Sequence, residues 1–387
     1  MKNNTSLLQN METPFYYYDI KLLKETLEQL KKIQENDGYE IHYAIKANAN
    51  SRILRLIREY GLGADCVSGN EIKHAVNHGF RPEKIVFAGV GKSDREIDLA
   101  LDQDIAFFNC ESLPEIEVIN EKAGLKKKTA RVALRVNPGI NANTHHYITT
   151  GAEENKFGIN KTDLFHHIRA SIKMQHIELK GLHVHIGSQI TDMEIFKKLC
   201  LRVNEIQLIF KKEGVSLTDL NLGGGLGINY ENPGKEMIPD FKSYFKIFRK
   251  FLEKEPSQKL HFELGRSVVG QCGKLVTRTL YIKEGVNTKF AIVDAGMTEL
   301  IRPALYQAYH KITNISGTGN TEKYDIVGPV CESSDYFGKQ VKLTNVKRGD
   351  LLVIHSTGAY GEVMRSGYNL REPVKSYYSD EVLQKEK

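Results

Sequence analysis

The chain has 387 residues, enough to bury a substantial core in one large and one smaller domain. Apolar residues make up 41 % and charged residues 26 %, the balance of an ordinary globular chain. No apolar run reaches the roughly 18 residues a membrane helix needs, which argues against a membrane partner. The net charge of +6 is mild, and basic clusters such as Lys126-Lys127-Lys128 carry no interleaved aromatics, which argues against nucleic acid.

The start, Met1 to Ser6, lacks the apolar core of a secretory signal. Cys66, Cys110, Cys200, Cys272 and Cys331 are odd in number, widely spaced and without a C-x-x-C pair. That pattern argues against a disulfide framework or a zinc ribbon and fits a reducing cytoplasm.

A helical pattern runs from about Ile20 to Ile33. Strand-like runs then alternate with amphipathic segments such as Ser51–Tyr60, Asn70–His78 and Ile195–Phe210. The strands expected are Ile41–Lys46, Gly63–Ser68, Lys84–Val90, Ile105–Cys110, Arg131–Asn137, Leu179–Ile186, Thr218–Gly223 and Lys259–Leu264. Most are nearly continuous apolar runs, as parallel strands covered on both faces should be. Eight such units predict an α/β fold built on a closed (β/α)8 TIM-type barrel rather than an open sheet.

After Arg266 short β-rich runs follow: Leu275–Lys283, Phe290–Val293, Tyr324–Val327 and Leu351–His355. The expected division is a barrel over 15–270 and a mostly β C-terminal domain over 271–387. The first dozen residues are expected to add a strand to that second domain. The end, Asp380 to Lys387, reads as a charged tail.

Barrels of this kind gather reactive groups at the C-terminal ends of their strands. Those ends hold Lys46, Asp65 with Ser68, Asn137, His185 with Ser188, Gly223-Gly224-Gly225, and Glu263 with Arg266. A lysine closing an apolar strand either snorkels its head to solvent or is an amine activated to bond an aldehyde cofactor. Asp65 could equally cap the helix that begins near Asn70, and Arg131 or Arg135 could be structural.

Glycines 223–225 let backbone N–H groups turn inward on an anion after the seventh strand, where barrels favour phosphate. Neither nucleotide motif is met: G-x-G-x-x-G fails at Ile228, and the P-loop pattern fails at Val86. His183 and His185 share a strand face. They suit a metal, for which later strands offer no further histidines, or a ring laid against a planar heterocycle. Glu263 would keep a pyridine nitrogen protonated, and only that form is a strong electron sink at an amino-acid α-carbon. Lysine, phosphate nest, ring and acid together are what pyridoxal 5'-phosphate asks of a protein.

The motifs YAIKAN, GADCVS, NPGINANTHHYITTG, ENKFGI, HVHIGSQI, NLGGGLGI, ELGR, VDAGMTELIRPALY, GPVCESSD and GAYG span nearly the whole chain. In them it resembles the fold-type III pyridoxal-phosphate decarboxylases, and among these the diaminopimelate decarboxylases. The resemblance implies decarboxylation of meso-2,6-diaminopimelate to L-lysine and CO2, the last step of lysine biosynthesis by that pathway.

The same resemblance puts Lys46 in covalent contact with the cofactor and His185 on its ring. Ser188, Gly223–Gly225 and the Gly265-Arg266 backbone would hold the phosphate, Glu263 the pyridine nitrogen, with Asp65 nearby. Tyr360 would reach cofactor and substrate. Arg266, Arg302, Tyr306 and Glu332 would bind substrate, and Cys331 would donate the proton. It further implies a homodimer in which Cys331 and Glu332 come from the second copy, and no metal.

An arginine suits the substrate's distal carboxylate and Glu332 its ammonium. A decarboxylase of ornithine or lysine would have no distal carboxylate for Arg302 to hold. Taken without the resemblance, Arg302 could be a surface ion pair, Tyr306 and Tyr360 packing, and Cys331 an inert filler. Departures from the pattern fall at His146, Ser334 and Arg365-Ser366-Gly367.

Overall fold

A computed structural model of the chain describes residues 8–140 and 156–382. His146 and much of the NPGINANTHHYITTG run lie outside the described residues. The chain divides into two compact units. One is Leu27–Gly227 with Asp240–Gly265, and the other is Met1–Thr26, Ile228–Pro239 and Arg266–Lys387.

The first described strand, β1 (Phe15–Tyr18), belongs to the second unit. The first unit holds β2 (Glu40–Ala44), β3 (Gly63–Cys66), β4 (Ile85–Phe87), β5 (Phe107–Cys110), β6 (Ala130–Arg135), β7 (Ile177–His183), β8 (Asp219–Asn221) and β9 (Lys259–Leu264). These eight, counted among the described residues, close into a barrel with every neighbouring pair parallel. β9 pairs back onto β2, with Glu40 opposite His261 and Tyr43 opposite Leu264. The expected TIM-type barrel is therefore present.

Local chemistry sets the barrel's parts. β3, β4 and β5 are buried along their whole length, because the barrel lies on one face and helices on the other. Several of the barrel helices start on side-chain caps. Asn50 accepts from the amides of Arg52 and Ile53, Ser68 from Glu71, Ser112 from Glu115 and Asp240 from Ser243. Each such cap is worth about 1 kcal/mol. The helix Phe241–Phe251 buries Phe245 and Phe248 edge-on to Phe262 of β9, with ring centroids 4.9 Å apart in both cases.

The second unit carries a mixed sheet. Its strands are β10 (Gly273–Glu284), β11 (Lys289–Val293), β12 (Ile312–Asn314), β13 (Thr321–Val327), β14 (Tyr336–Thr344), β15 (Leu351–Ile354) and β16 (Lys375–Tyr378), ordered β12-β15-β10-β11-β13-β14. β1 pairs antiparallel with β10 and parallel with β16. One core cluster joins Leu8, Phe15 and Tyr17 to Val276, Leu351, Val353 and Val382.

Three details differ from the sequence reading. Lys46 does not end a strand: β2 stops at Ala44, and a single 3-10 turn, Ile45–Ala47, closed by the Asn48 amide on the Ile45 carbonyl, carries the lysine. The N-terminal strand lies just past the first dozen residues, at Phe15–Tyr18. Because β1 bonds into the second sheet, residues 15–26 fall in that unit, as do Ile228–Pro239 and residues 266–270, not in the barrel as a division at 15–270 would have them.

Candidate active site

TIM-type barrels fill their interior with layers of four side chains from alternate strands. In this barrel Asp65 of β3, Asn109 of β5, His183 of β7 and Glu263 of β9 stand on alternate strands and are all buried. A layer that is ordinarily aliphatic is thus polar and ionisable. Glu263 is its centre. Oε1 accepts from Asn109 Nδ2 at 3.1 Å and from Asn221 Nδ2 at 2.6 Å, and Oε2 bonds His183 Nε2 at 3.1 Å.

The two amides are donors and the imidazole nitrogen donates when it carries the proton, so the arrangement suits an ionised carboxylate. Burial alone would raise the pKa of Glu263. The charge and hydrogen bond of His183, with the charge of Lys46, outweigh burial and hold it below the ordinary carboxylate range.

Lys46 Nζ lies 3.2 Å from Asp65 Oδ2. The lysine side chain is 36 % exposed and the aspartate fully buried, so the amine reaches from a half-open position onto a dry acid. Burial, reinforced by the nearby Glu263 charge and opposed by Lys46, pushes Asp65 up to about 6. Asp65 is therefore an ion-pair partner, and the cap of the next helix is Ser68. Arg135 is structural in the same sense, paired at 2.6 Å with buried Glu111.

His183 and His185 part company. His183 points to Glu263, whereas His185, past the end of β7, is half-buried and accepts the Gly187 amide on Nδ1 at 3.1 Å. Burial, then Arg135 and Lys46, push the His185 pKa well down, so the ring is neutral. Among the described residues no three His, Cys, Asp or Glu side chains gather as a metal site.

The glycine turn is built for close backbone approach. Gly223 and Gly225 have φ of +64° and +113°. A Cβ on Gly224 would lie 2.0 Å from the Glu263 carbonyl oxygen, and one on Gly223 3.1 Å from His185 Cδ2. The loop carrying His185 and Ser188 is laced to this turn: the Ile190 amide bonds the Gly225 carbonyl at 2.8 Å and the Gly227 amide returns to Ile190 at 2.9 Å. Ser188 thus lies on a loop tied by backbone hydrogen bonds to the glycine turn. Gly265 follows β9 in the same unit.

The second unit holds its own polar cluster. Arg266 and Arg302 are both buried, and both donate to the hydroxyl of Tyr230, at 2.5 and 2.9 Å. The Arg266 guanidinium lies 4.8 Å from the centre of the Tyr360 ring. Arg302 opens the short helix Arg302–Tyr306, where Tyr306 is half-buried. Cys331 and Glu332 sit on an exposed stretch, with Glu332 accepting from the Tyr368 hydroxyl at 2.8 Å. The structure brings Arg266, Arg302 and Tyr360 together.

The sequence reading did not single out Asn109, Asn221, Tyr230 or His310. Asn109 had a signal, since its place on β5 matches those of Asp65 and Glu263 on alternate strands.

The residues present fit pyridoxal phosphate on this geometry. A lysine amine, an ionised buried carboxylate and a glycine turn lie in one barrel, and buried Asp65 Oδ1 and His183 Nδ1 have no hydrogen-bond partner among the described residues.

Comparison with known proteins agrees. A family model described as the pyridoxal binding domain of pyridoxal-dependent decarboxylases matches residues 22–270. The chain is 55 % identical over 376 residues to the diaminopimelate decarboxylase of Bacteroides thetaiotaomicron, covering 97 % of each. It is 40 % identical over 367 residues to that of Aquifex aeolicus, covering 94 % of this chain and 86 % of the other. The crystal structure of Helicobacter pylori diaminopimelate decarboxylase complexed with L-lysine superposes with a TM-score of 0.90 at 39 % identity, covering 97 % of this chain and 94 % of that one. With a barrel interior built around Lys46 and Glu263 and relatives of this identity over almost their whole length, the chain belongs to the diaminopimelate decarboxylases, within the pyridoxal-dependent decarboxylase family.

Proposed function

We propose that the chain is a pyridoxal-phosphate-dependent carboxy-lyase that converts meso-2,6-diaminopimelate to L-lysine and CO2, the last step of lysine biosynthesis by the diaminopimelate pathway. The observation that carries this reading is the buried, triply hydrogen-bonded Glu263 in the same barrel as the Lys46 amine. Bound pyridoxal phosphate supplies an electron sink for the pair left on the α-carbon when CO2 departs. Lys46 would hold the cofactor aldehyde, and Glu263, kept ionised, would hold the proton on its ring nitrogen. The neutral His185 ring would lie against the heterocycle. Ser188, the Gly223–Gly225 turn and the Gly265-Arg266 backbone would take the phosphate, with Asp65 tuning Lys46 and Tyr360 reaching cofactor and substrate.

The substrate is dicarboxylic and the product L-configured, so the carboxylate lost is that of the D-centre and the one retained is distal. Arg266 and Arg302, buried side by side, suit anionic groups, while Tyr306 and Glu332 would bind the remaining polar end. The proton returned to the α-carbon is assigned to Cys331.

The reading includes a homodimer whose active site takes Cys331 and Glu332 from the second copy. The exposure of both residues supports it, as do the exposed apolar side chains Leu305, Tyr309, Tyr368 and Leu370 of the same unit. Free cysteines, together with the absence among the described residues of a helix long and apolar enough to cross a membrane, support a cytoplasmic place.

The test is Lys46→Ala. The visible absorbance of bound cofactor and the turnover of diaminopimelate are both expected to be lost, and a variant that keeps both would refute the reading.

A further inference from the structure

Among the described residues, the recorded partners of Arg302 are a phenol and an imidazole, with no carboxylate. Tyr230 lies between the two arginines of the second unit and accepts from both, 2.5 Å from Arg266 Nη1 and 2.9 Å from Arg302 Nη1. The same Nη1 of Arg302 is 3.0 Å from Nε2 of His310. His310 Nδ1 is 2.9 Å from the His355 carbonyl oxygen. A carbonyl can only accept, so Nδ1 carries the proton and Nε2 presents a lone pair to Arg302. This fixes the tautomer of His310 from behind, and burial, followed by the Arg302 charge, keeps the ring neutral, with its pKa lowered to about 3. Both protons of Arg302 Nη1 are therefore committed, one to a phenol oxygen and one to an imidazole.

Among the described residues the Nε–Nη2 edge of Arg302 has no recorded hydrogen bond, and that edge is the planar fork a carboxylate takes bidentately. The Tyr230 ring stands edge-on to His310 with centroids 5.1 Å apart, so the two partners also buttress each other. Burial by itself would raise the Tyr230 pKa, yet the two guanidiniums bring it below the ordinary tyrosine range. A phenol oxygen that accepts from both guanidiniums thus separates two cations that would otherwise repel in a dry site.

From this cluster we infer that Tyr230 and His310 are positioning residues that orient Arg302 toward the distal carboxylate of the substrate, and so determine the preference for carboxylate-bearing ligands. The inference rests on the reading of Arg302 as the carboxylate-binding residue. A positioning role differs from simple support of the fold, because it acts only on ligands that possess the distal carboxylate. L-Lysine retains it and 1,5-diaminopentane lacks it.

The experiment measures inhibition of the cofactor-loaded enzyme by these two compounds in wild type, Tyr230→Phe, His310→Leu, His310→Gln and Arg302→Lys. Removing one charge-assisted partner is expected to weaken L-lysine by about tenfold in Tyr230→Phe and His310→Leu. The affinity for 1,5-diaminopentane should move by less than about twofold. His310→Gln keeps an acceptor near the position of Nε2 and should restore most of the loss. Equal weakening of both compounds, or unchanged discrimination in Tyr230→Phe and His310→Leu while Arg302→Lys abolishes it, would overturn the positioning role alone. Unchanged discrimination in Arg302→Lys as well would overturn the reading beneath it. Tyr230→Phe preserves the ring packing, so it decides the question even where His310→Leu fails to fold.

Discussion

Glu263 and Asp65 are two buried carboxylates in one interior layer whose environments drive their titrations apart. Glu263 takes three hydrogen bonds and is held ionised, while Asp65 has Lys46 as its partner and is pushed up to about 6. Such divergence assigns roles: the first is a fixed negative charge, the second a group whose charge follows its neighbours. Asp65 titrates higher folded than unfolded, so between the ordinary aspartate range and about 6 the folded chain keeps a proton that the unfolded chain has released. Its contribution to stability therefore falls as pH rises through that window. In cofactor-free protein, the stability of Asp65→Asn relative to wild type, from urea unfolding, is expected to improve by about 2–3 kcal/mol between about pH 4 and about pH 7. A difference that does not change with pH would mean that Lys46 keeps Asp65 ionised throughout.

Among the elements, the turn after β8 is the one whose sequence is most tightly dictated by backbone geometry. Gly224 passes so close to β9 that a methyl group would overlap the Glu263 carbonyl, whereas a Cβ on Gly91 would meet nothing within 4 Å. Gly224→Ala is expected to lower stability by about 1–3 kcal/mol, and to weaken cofactor retention in a dialysis titration. Gly91→Ala should stay within about 0.5 kcal/mol of wild type. A Gly224→Ala protein that retains cofactor normally would detach this turn from phosphate binding.

The turn was legible in sequence because three consecutive glycines after an apolar run have few other uses. The barrel was legible for a similar reason, since continuous apolar strands alternating with capped amphipathic helices leave little choice. Strand β14 was not, because its half-exposed residues Tyr336–Thr344 carry too many polar side chains to stand out. Asn109 and Asn221 lie inside expected strands, Asn109 on one that alternates with those of Asp65 and Glu263, but that both aim at Glu263 emerges only when the barrel closes. Tyr230 and His310 stay hidden for the same reason. Tyr230 lies 72 positions from Arg302, and the carbonyl that fixes His310 lies 45 positions from it. Long-range partners of that kind leave no local pattern.

For the molecule as a whole, the division of labour follows the two units. The barrel supplies the groups that suit the cofactor, and the β-rich unit supplies the buried arginine pair that we propose separates a dicarboxylic substrate from simpler diamines. The mild charge of +6 is compatible with a small anionic substrate and plays no larger part. Specificity on this account lies in the buried pair Arg266 and Arg302, because a buried cation left without its anion is costly.

The most direct measurement of the central claim is CO2 release by the protein loaded with pyridoxal phosphate, followed for meso-diaminopimelate, ornithine, arginine and lysine with the amino-acid product identified. The account predicts CO2 and L-lysine in equal amounts from meso-diaminopimelate, with the other three turned over far more slowly. Release from ornithine, arginine or lysine at a comparable or higher rate, or none from meso-diaminopimelate, would contradict it.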